Sequence, residues 1–352
     1  MPSVNMRSSA QTVPGQGVGS CYEELTSLLL RELSDEFEIY ENSKKICDIM
    51  HYHTVNLEYY AERLTRGRRA VNVAFVHFLP ETLKGSLRLN PLYFSVFSKY
   101  LIHFYNSMDY LVAVNPEVMD KLRRYDLNRP KLVYIPNFVS PERFRPEPER
   151  RAEFRAEFGI APDAFAVVGA GQLQTRKGIF DFAETARLCP ETSFIWAGGF
   201  SFGRWSDGHD AIKRLTRNPP DNLRFVGMVE RSRMNALYNA CDMMFLPSFD
   251  ELFPMTILEA VACGKPILLR DVDVYRGILG GMYAKADGPA GFAGRIREMA
   301  SDAGAYARYA EASRRAAQEY GEPRAIAAWR GFYREILRRN DPSGAREFSL
   351  ET

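Results

Sequence analysis

The chain has 352 residues, 26% of them charged, and a formal net charge of only +2, so it is long enough for two domains and lies outside the strongly basic class that binds nucleic acid broadly. Five cysteines without a CxxC pair predict reduced, mostly buried thiols of a cytoplasmic protein. Pro14 to Gly17 interrupts any leader, and no apolar run reaches the roughly 18 residues of a membrane span, so any membrane contact is expected to be peripheral.

Short apolar strands alternate with amphipathic helices along the chain, which predicts an α/β fold with parallel sheets. In the first half the predicted helices lie near 19–33, 55–65, 91–107 and 116–124, and the strands near 46–52, 71–77, 110–114 and 132–135. The second half has strands near 165–170, 193–197, 223–226, 242–246 and 266–269, again separated by helices. Two successive helices over 289–318 and a last amphipathic helix over 322–338 complete the pattern.

Composition also places the domain boundaries. We expect a Rossmann-like domain over 1–138, a proline- and charge-rich linker over 139–150, and a second Rossmann-like domain over 151–320. The final helix occupies 321–340, and the polar tail 341–352 is expected to be flexible.

Glu251 and Glu259, with seven residues between them, are the most informative pair of side chains. Glu251 lies in a predicted loop, Pro254 is predicted to open a helix, and Glu259 lies inside that helix. A helix start offers free N–H groups and a positive dipole end to a diphosphate, and the two carboxylates can accept hydrogen bonds from sugar hydroxyls. A solvated acidic helix is the alternative interpretation of a bare E-x7-E spacing.

Two glycine-containing loops at helix starts are candidate phosphate sites. Gly15-Gln16-Gly17-Val18-Gly19-Ser20 precedes a helix, although its spacing is not the dinucleotide fingerprint G-x-G-x-x-G. The segment from Gly169 to Gly178 follows an apolar strand and carries Arg176 and Lys177, two cations that can neutralise a departing diphosphate. A simple turn and a solvated Arg-Lys pair are the alternatives.

Histidines and aspartates raise the question of a metal. His51 and His53 alternate onto one face of a strand end, but no third ligand is evident, and they are expected to shape a cleft. Asp271-Val272-Asp273 has a D-x-D form, a spacing that can hold a divalent cation against a diphosphate. Its late position, after a second α/β domain, favours a loop of similar sequence, and no metal or other cofactor is predicted.

The segment from Asn90 to Asp109 predicts an aromatic-rich helix that either packs in the core or lies in a lipid interface. Lys84, Arg88 and Lys99 flank this helix. Arg63, Arg66, Arg68 and Arg69 form a basic cluster suited to anionic head groups. These residues favour a peripheral position at the inner face of the cell membrane.

Taken together, Gly15 to Ser20, His51 to Thr54, Val76 to Thr82, Gln172 to Gly178, Trp196 to Arg204 and the E-x7-E segment resemble glycosyltransferase family 4 over nearly the whole chain. The likeness is to a bacterial subgroup similar to the glycolipid synthases that add a second sugar to monoglycosyl-diacylglycerol. It implies a GT-B fold: two facing Rossmann-like domains, a cleft between them, and a carboxy-terminal helix that crosses back onto the first domain.

The resemblance also implies roles for particular residues. UDP-glucose or UDP-galactose would be the donor, bound mainly by the second domain, and its sugar would be transferred with retention. Lys177, with Arg176, would neutralise the diphosphate, helped by backbone N–H groups near Gly15, Gly17, Phe253 and Met255. Glu259 would bind the ribose, Glu251 the donor sugar, and His77 would contact the hexose near the reacting carbon. The family usually has an arginine where this chain has Gln172, and Arg176 is the candidate to replace its charge.

Two other functions fit the same sequence. The acceptor could be a polysaccharide or a soluble sugar, and the aromatic helix and basic cluster are what favour lipid. A non-catalytic GT-B partner protein is suggested by Gln172, whereas the joint presence of His77, Lys177, Glu251 and Glu259 favours an enzyme.

Overall fold

The structure is a computed structural model that describes residues 1–10, 17–84 and 90–340. Gly15, Arg88 and the predicted tail 341–352 lie outside the described residues, as does the side chain of Lys84. No helix within the described ranges is both long and apolar enough to cross a membrane.

The first half folds into a parallel six-stranded sheet in the order β2-β1-β3-β4-β5-β6. Its strands are β1 (Ser3–Arg7), β2 (Glu38–Glu41), β3 (Ile49–Tyr52), β4 (Val71–Val76), β5 (Tyr110–Ala113) and β6 (Lys131–Tyr134). Its helices are α1 (Gly17–Glu32), α2 (Leu57–Leu64), α3 (Pro80–Lys84), α4 (Pro91–Ser107) and α5 (Pro116–Arg123).

The second half forms another parallel six-stranded sheet, in the order β12-β11-β10-β7-β8-β9. Its strands are β7 (Ala166–Ala170), β8 (Ser193–Ala197), β9 (Leu223–Gly227), β10 (Met243–Leu246), β11 (Ile267–Arg270) and β12 (Ala284–Ala286). Its helices are α6 (Arg151–Glu157), α7 (Ile179–Leu188), α8 (His209–Arg217), α9 (Arg231–Ala240), α10 (Met255–Ala262), α11 (Asp273–Leu279), α12 (Gly288–Ser301) and α13 (Ala303–Glu319).

The last helix, α14 (Glu322–Arg339), returns to the first sheet. Trp329 is buried against the rings of His51 and Phe75, which project from that sheet. Arg330 and Arg334 both bind Glu36, just after α1. The α/β class, the two parallel sheets and the crossover helix are therefore as predicted.

Residues 139–150 join the two sheets and are packed against the second one. Phe144 is buried, and the backbone N–H groups of Arg145 and Glu147 donate to the amide side chains of Asn235 and Asn239 on α9. Two backbone hydrogen bonds therefore tie the later part of this connection to α9.

Strand β1 was not predicted from the sequence, although it lies inside the first sheet. Ser3 and Asn5 are polar residues at buried positions, so the strand lacks the apolar pattern of its neighbours. Both side chains are nevertheless satisfied: the Ser3 hydroxyl donates to Asp48, and the Asn5 amide donates to two backbone carbonyls near Ser43. Hydrogen bonds from a distant segment replace the apolar signal, which a local pattern cannot reveal.

Candidate active site

A cavity of about 550 Å³ lies between the two halves, where loops follow the carboxyl ends of parallel strands. It brings together every described residue that the sequence analysis selected as a site residue: Gly17, His77, Arg176, Lys177, Glu251, Phe253, Met255 and Glu259. Because these residues come from four separate segments, the fold assembles them only when the two halves face each other.

Two glycines let the loops after β7 and β8 meet at the base of the cavity. Gly198 has a φ of +146°, and a Cβ there would lie 1.9 Å from the carbonyl oxygen of Gly171. That same oxygen accepts a hydrogen bond of 3.0 Å from the Trp196 indole. Any side chain at position 198 would separate the loops, so the cavity wall at this point requires glycine.

Lys177, Arg176 and Glu251 form a charged cluster on the side of the cavity made by the second half of the chain. The Lys177 ammonium is bound directly to one carboxylate oxygen of Glu251, and Arg176 lies 3.5 Å from the other. The carbonyl of Arg176 also accepts from the Phe249 N–H at 2.8 Å, which ties the two loops together. The left-handed Gly178 then ends the short 3-10 helix Thr175–Lys177 and allows α7 to begin.

Burial and charge act against each other in this cluster. Burial lowers the pKa of Lys177, and the Glu251 carboxylate partly offsets that effect. Burial raises the pKa of Glu251, but Lys177 and Arg176 outweigh it, so the pKa of Glu251 lies below its usual value. Glu251 is therefore an ionised hydrogen-bond acceptor at neutral pH, with its charge already shared between two cations.

The loop before α10 is held by asparagines of the first half. The Asn115 amide donates to the carbonyl of Leu252, and the Asn137 amide donates to that of Phe253 at 3.0 Å. Pro254 is the N-cap of α10 and not its first residue, one position off the sequence expectation, because its ψ of 129° is extended. The helix begins at Met255, so its open N–H groups face the cavity.

Glu259 is connected to the first half of the chain through one arginine. One guanidinium nitrogen of Arg231 donates to Glu259 at 2.8 Å, and another donates to Glu24 of α1 at 2.6 Å. The second oxygen of Glu259 accepts from the Tyr238 hydroxyl at 2.9 Å. Burial raises the pKa of Glu259 above its usual value, and the nearby Arg231 opposes that rise.

Three histidine rings pack together where β3 and β4 end, behind one wall of the cavity. His77 is partly exposed and lines the cavity, whereas His51 and His53 are fully buried. Nδ1 of His53 lies 3.1 Å from Nε2 of His77, and Nδ1 of His51 lies 2.8 Å from the Tyr333 hydroxyl. His51 and His53, which were expected to shape the cleft, do not line the cavity themselves and lie behind His77.

The D-x-D segment lies on the surface and away from the cavity. Asp271 binds Arg276 and Lys285, and Asp273 binds Arg276. Both carboxylates are thus neutralised by neighbouring cations. Across the described ranges, no group of three or more histidine, cysteine or acidic side chains has the arrangement of a metal site.

Sequence reasoning missed three polar residues that hold the cavity together: Arg231, Asn115 and Asn137. Arg231 follows a strand end at the start of a helix, which is a position that could have marked it. The asparagines also follow strands β5 and β6, but nothing in their local sequence indicates that they reach across to the other half. Their partners are more than a hundred residues away along the chain.

Two facing parallel sheets, a charged cavity at their carboxyl edges and a final helix returning to the first sheet define a glycosyltransferase of the GT-B class. Solved structures agree on the fold. Sucrose-phosphate synthase from Thermosynechococcus elongatus aligns with a TM-score of 0.79 at 15% identity, covering 96% of this chain and 100% of that one. HepE of Anabaena, solved with UDP-glucose, aligns with a TM-score of 0.73 at 16% identity, covering 95% of this chain and 100% of that one.

Sequence comparisons place the chain within that class. Residues 27–143 match the family model "Glycosyltransferase Family 4", and residues 150–316 match "Glycosyl transferases group 1". The alpha-galactosylglucosyldiacylglycerol synthase of Streptococcus pneumoniae is 41% identical over 94% of this chain and 88% of its own. The processive diacylglycerol alpha-glucosyltransferase of Acholeplasma laidlawii is 30% identical over 51% of this chain and 53% of its own. The chain therefore belongs to glycosyltransferase family 4 and is a hexosyltransferase.

Proposed function

We propose that the protein transfers glucose or galactose, with retention of configuration, from a UDP-sugar to a monoglycosyl-diacylglycerol. The observation that carries the proposal is the Lys177–Glu251–Arg176 cluster, in which two cations and an ionised carboxylate share one cavity beside the start of α10. The pneumococcal relative, named for a galactosylglucosyl lipid, supports the glycolipid acceptor and favours galactose as the transferred sugar.

The donor would lie along the second half of the chain. Its diphosphate would meet Lys177, Arg176 and the open N–H groups at the starts of α1 and α10, where charge develops as the bond to the sugar breaks. Glu259 retains spare acceptor capacity beside its bonds to Arg231 and Tyr238, which suits ribose hydroxyls. We expect these groups to serve the diphosphate without a metal ion.

Glu251 is better suited to orienting the donor sugar than to attacking it. Its carboxylate charge is shared with Lys177 and Arg176, which weakens it as a nucleophile. We therefore favour attack by the acceptor hydroxyl on the face from which UDP departs. The new C–O bond forms as the bond to the diphosphate breaks, and the hydroxyl proton passes to the leaving phosphate oxygen.

Peripheral membrane contact belongs to the same proposal. The first half of α4 leaves apolar side chains in solvent, with Leu92 70%, Tyr93 71% and Val96 60% exposed, whereas its second half is buried in the core. Arg66, Arg68 and Arg69 are exposed as the basic cluster requires. Arg63 does not belong to that surface, since it is buried and donates to the Ser107 carbonyl at 2.8 Å.

A vesicle-binding experiment tests this membrane surface. Replacing Leu92, Tyr93 and Val96 with serine should abolish co-sedimentation with anionic vesicles and leave transfer to detergent-solubilised acceptor intact. Leu188→Ser, which changes an apolar side chain exposed on α7, is the matched control and should bind vesicles normally. Unchanged binding by the triple variant would remove α4 from the proposal.

The transfer itself is tested with purified protein, UDP-glucose or UDP-galactose, and vesicles with or without monoglucosyl-diacylglycerol, all in chelator. We expect a diglycosyl lipid to form only when the acceptor lipid is present. Glu251→Ala and Lys177→Ala should each abolish it, while the surface variant Asp273→Asn should remain active. Transfer to a polysaccharide or a soluble sugar without lipid would contradict the acceptor, and full activity of both cavity variants would contradict the site.

A further inference from the structure

The hydrogen bond between His53 and His77 constrains which ring nitrogen of His77 carries its proton. Neutral imidazole has one N–H donor and one acceptor nitrogen, so in this pair one ring donates and the other accepts. Two arrangements are possible: His53 Nδ1 donates to His77 Nε2, or His77 Nε2 donates to His53 Nδ1. The two arrangements differ in whether the ring nitrogen outside this hydrogen bond, Nε2 of His53 or Nδ1 of His77, carries a proton.

The surroundings of His53 distinguish the two arrangements. Its other nitrogen, Nε2, is buried and has no hydrogen-bond partner among the described residues. If His77 donated, the proton of His53 would sit on that Nε2 as a buried, unpaired N–H, which is rarely tolerated. The edge-to-face contact with the Tyr22 ring, with centroids 5.2 Å apart, would offset this only to second order. If His53 donates, its Nε2 is an unprotonated acceptor. An unpaired acceptor at this buried position costs less free energy than an unpaired N–H.

We infer that His53 is a positioning residue that holds His77 as the Nδ1–H tautomer, so that His77 presents a hydrogen-bond donor to the sugar in the cavity. His77 lines the cavity and accepts from His53 through Nε2, which leaves Nδ1 as its donor. A donor at this place can bind a sugar hydroxyl or ring oxygen as acceptor and does not act as a base toward it. The inference rests on the proposed function for the identity of the ligand, but not for the tautomer.

The burial of the ring pair keeps both histidines neutral, so that each ring has one donor and one acceptor nitrogen. Burial lowers the pKa of His77 to about 3 and that of His53 well below its usual value, with His51 and His77 adding to the effect on His53. The His51 ring also packs against that of His53 at a tilt of 40°, with ring centroids 4.6 Å apart, but its own hydrogen bond goes to Tyr333. A substitution of His51 is therefore a suitable control, because it changes an equally buried histidine and leaves the His53–His77 hydrogen bond in place.

Nitrogen-15 NMR of histidine-labelled protein reads the tautomer directly. The chain has only five histidines, and the loss of one signal in His77→Asn assigns that ring. In the unmodified protein we expect Nδ1 of His77 to be protonated and Nε2 to be unprotonated at neutral pH. A protonated Nε2 on His77, or an equal mixture of the two tautomers, would overturn the inference, and this spectrum needs no active enzyme.

Variants of His53 test whether it sets the tautomer. His53→Leu removes the donor and should shift His77 to the other tautomer or to a mixture, whereas His53→Asn supplies an amide donor and should keep the original one. His51→Leu is the matched control and should leave the His77 signals unchanged. An unaltered His77 tautomer in His53→Leu, or an equal change in His51→Leu, would overturn the role of His53. If His53→Leu fails to fold, the unmodified spectrum and His53→Asn still decide.

Kinetics separate this inference from the proposed function. With an active donor–acceptor pair, kcat/KM should fall about tenfold in His53→Leu, the usual effect of losing one hydrogen bond, and should recover in His53→Asn. Equal losses in both variants would contradict the positioning role. If no lipid product forms with any variant while the Nδ1–H tautomer is present, the proposed function fails and the tautomer assignment stands.

Discussion

Lys177 and Glu251 form a buried ion pair in the wall of the cavity. Both side chains are buried, so removing Glu251 leaves Lys177 as an uncompensated charge beside Arg176 in a poorly solvated site, whereas removing Lys177 leaves Glu251 with Arg176 as its only cation in this cluster. The pair therefore has two separable effects, one on the stability of the fold and one on the chemistry of the cavity.

A double-mutant cycle measures these effects. We expect Glu251→Leu to lower the free energy of unfolding by about 3–5 kcal/mol, and Lys177→Met together with Glu251→Leu to cost much less than the sum of the single changes. Urea unfolding checks this, and transfer activity should be absent in all three variants. Additive losses of stability would show that the two side chains do not depend on each other.

The three packed histidines, His51, His53 and His77, make the stability of the fold depend on pH. Burial holds the pKa of His51 and His77 at about 3 and lowers that of His53. In the unfolded chain a histidine takes up a proton near pH 6.5, whereas the folded state does not until about pH 3. The unfolded state therefore binds more protons in this window, and stability is lost as pH falls through it.

We expect His51→Asn to flatten this dependence by about one proton, a slope change of about 1.4 kcal/mol per pH unit between pH 6 and 4. Urea unfolding at several pH values measures the slope. Tyr333→Phe breaks the hydrogen bond between His51 and the Tyr333 hydroxyl but keeps the His51 ring. It should therefore lower the free energy of unfolding without flattening its dependence on pH. An unchanged slope in His51→Asn would show that its ring is already protonated in the fold.

At the scale of elements, Arg231 connects three helices. It starts α9 and binds Glu259 of α10 and Glu24 of α1, so the proposed ribose site and the first half share one guanidinium. Glu24 also accepts from the Ser140 N–H at 3.0 Å, at the start of the connection between the halves. The position of the Glu259 carboxylate therefore depends, through Arg231 and Glu24, on how the two halves are placed relative to each other.

Arg231→Met should weaken UDP binding by about tenfold or more, because Glu259 and Glu24 lose their shared cation and two buried carboxylates remain near each other. Isothermal titration with UDP measures the change. Arg233→Met, on the same helix but paired with Glu157 at the surface, is the matched control and should bind UDP normally. Equal affinities in both variants would show that Arg231 serves the fold alone.

Elements with local signals were predictable from the sequence, and elements without them were not. The α4 prediction matches the observed Pro91–Ser107, since Asn90 caps the helix and Met108 ends it. The sequence also left α4 undecided between core and lipid interface, and the structure buries side chains of its second half while leaving Leu92, Tyr93 and Val96 of its first half exposed. Strands β1, β2 and β12 were missed because they are short and carry polar or charged residues.

At the scale of the whole molecule, sequence reasoning found the residues of the cavity but not what positions them. Lys177 and Glu251 were each selected alone, and their direct contact depends on loops that are 74 residues apart in the chain. Asn115, Asn137 and Arg231 act between the two halves. Contacts between distant segments follow from the tertiary fold and have no periodic signature in the sequence. For this reason Lys177 and Glu251 could be predicted as site residues, whereas the roles of Asn115, Asn137 and Arg231 could not.

The configuration of the new glycosidic bond tests the proposed function most directly. The diglycosyl lipid made from an α-linked UDP-sugar and monoglucosyl-diacylglycerol vesicles can be isolated, and the coupling constant of its new anomeric proton measured by NMR. We predict an α-linked second sugar, as same-face attack in this cavity requires. A β-linked product would contradict the retaining mechanism, and the absence of any diglycosyl lipid would contradict the proposed acceptor.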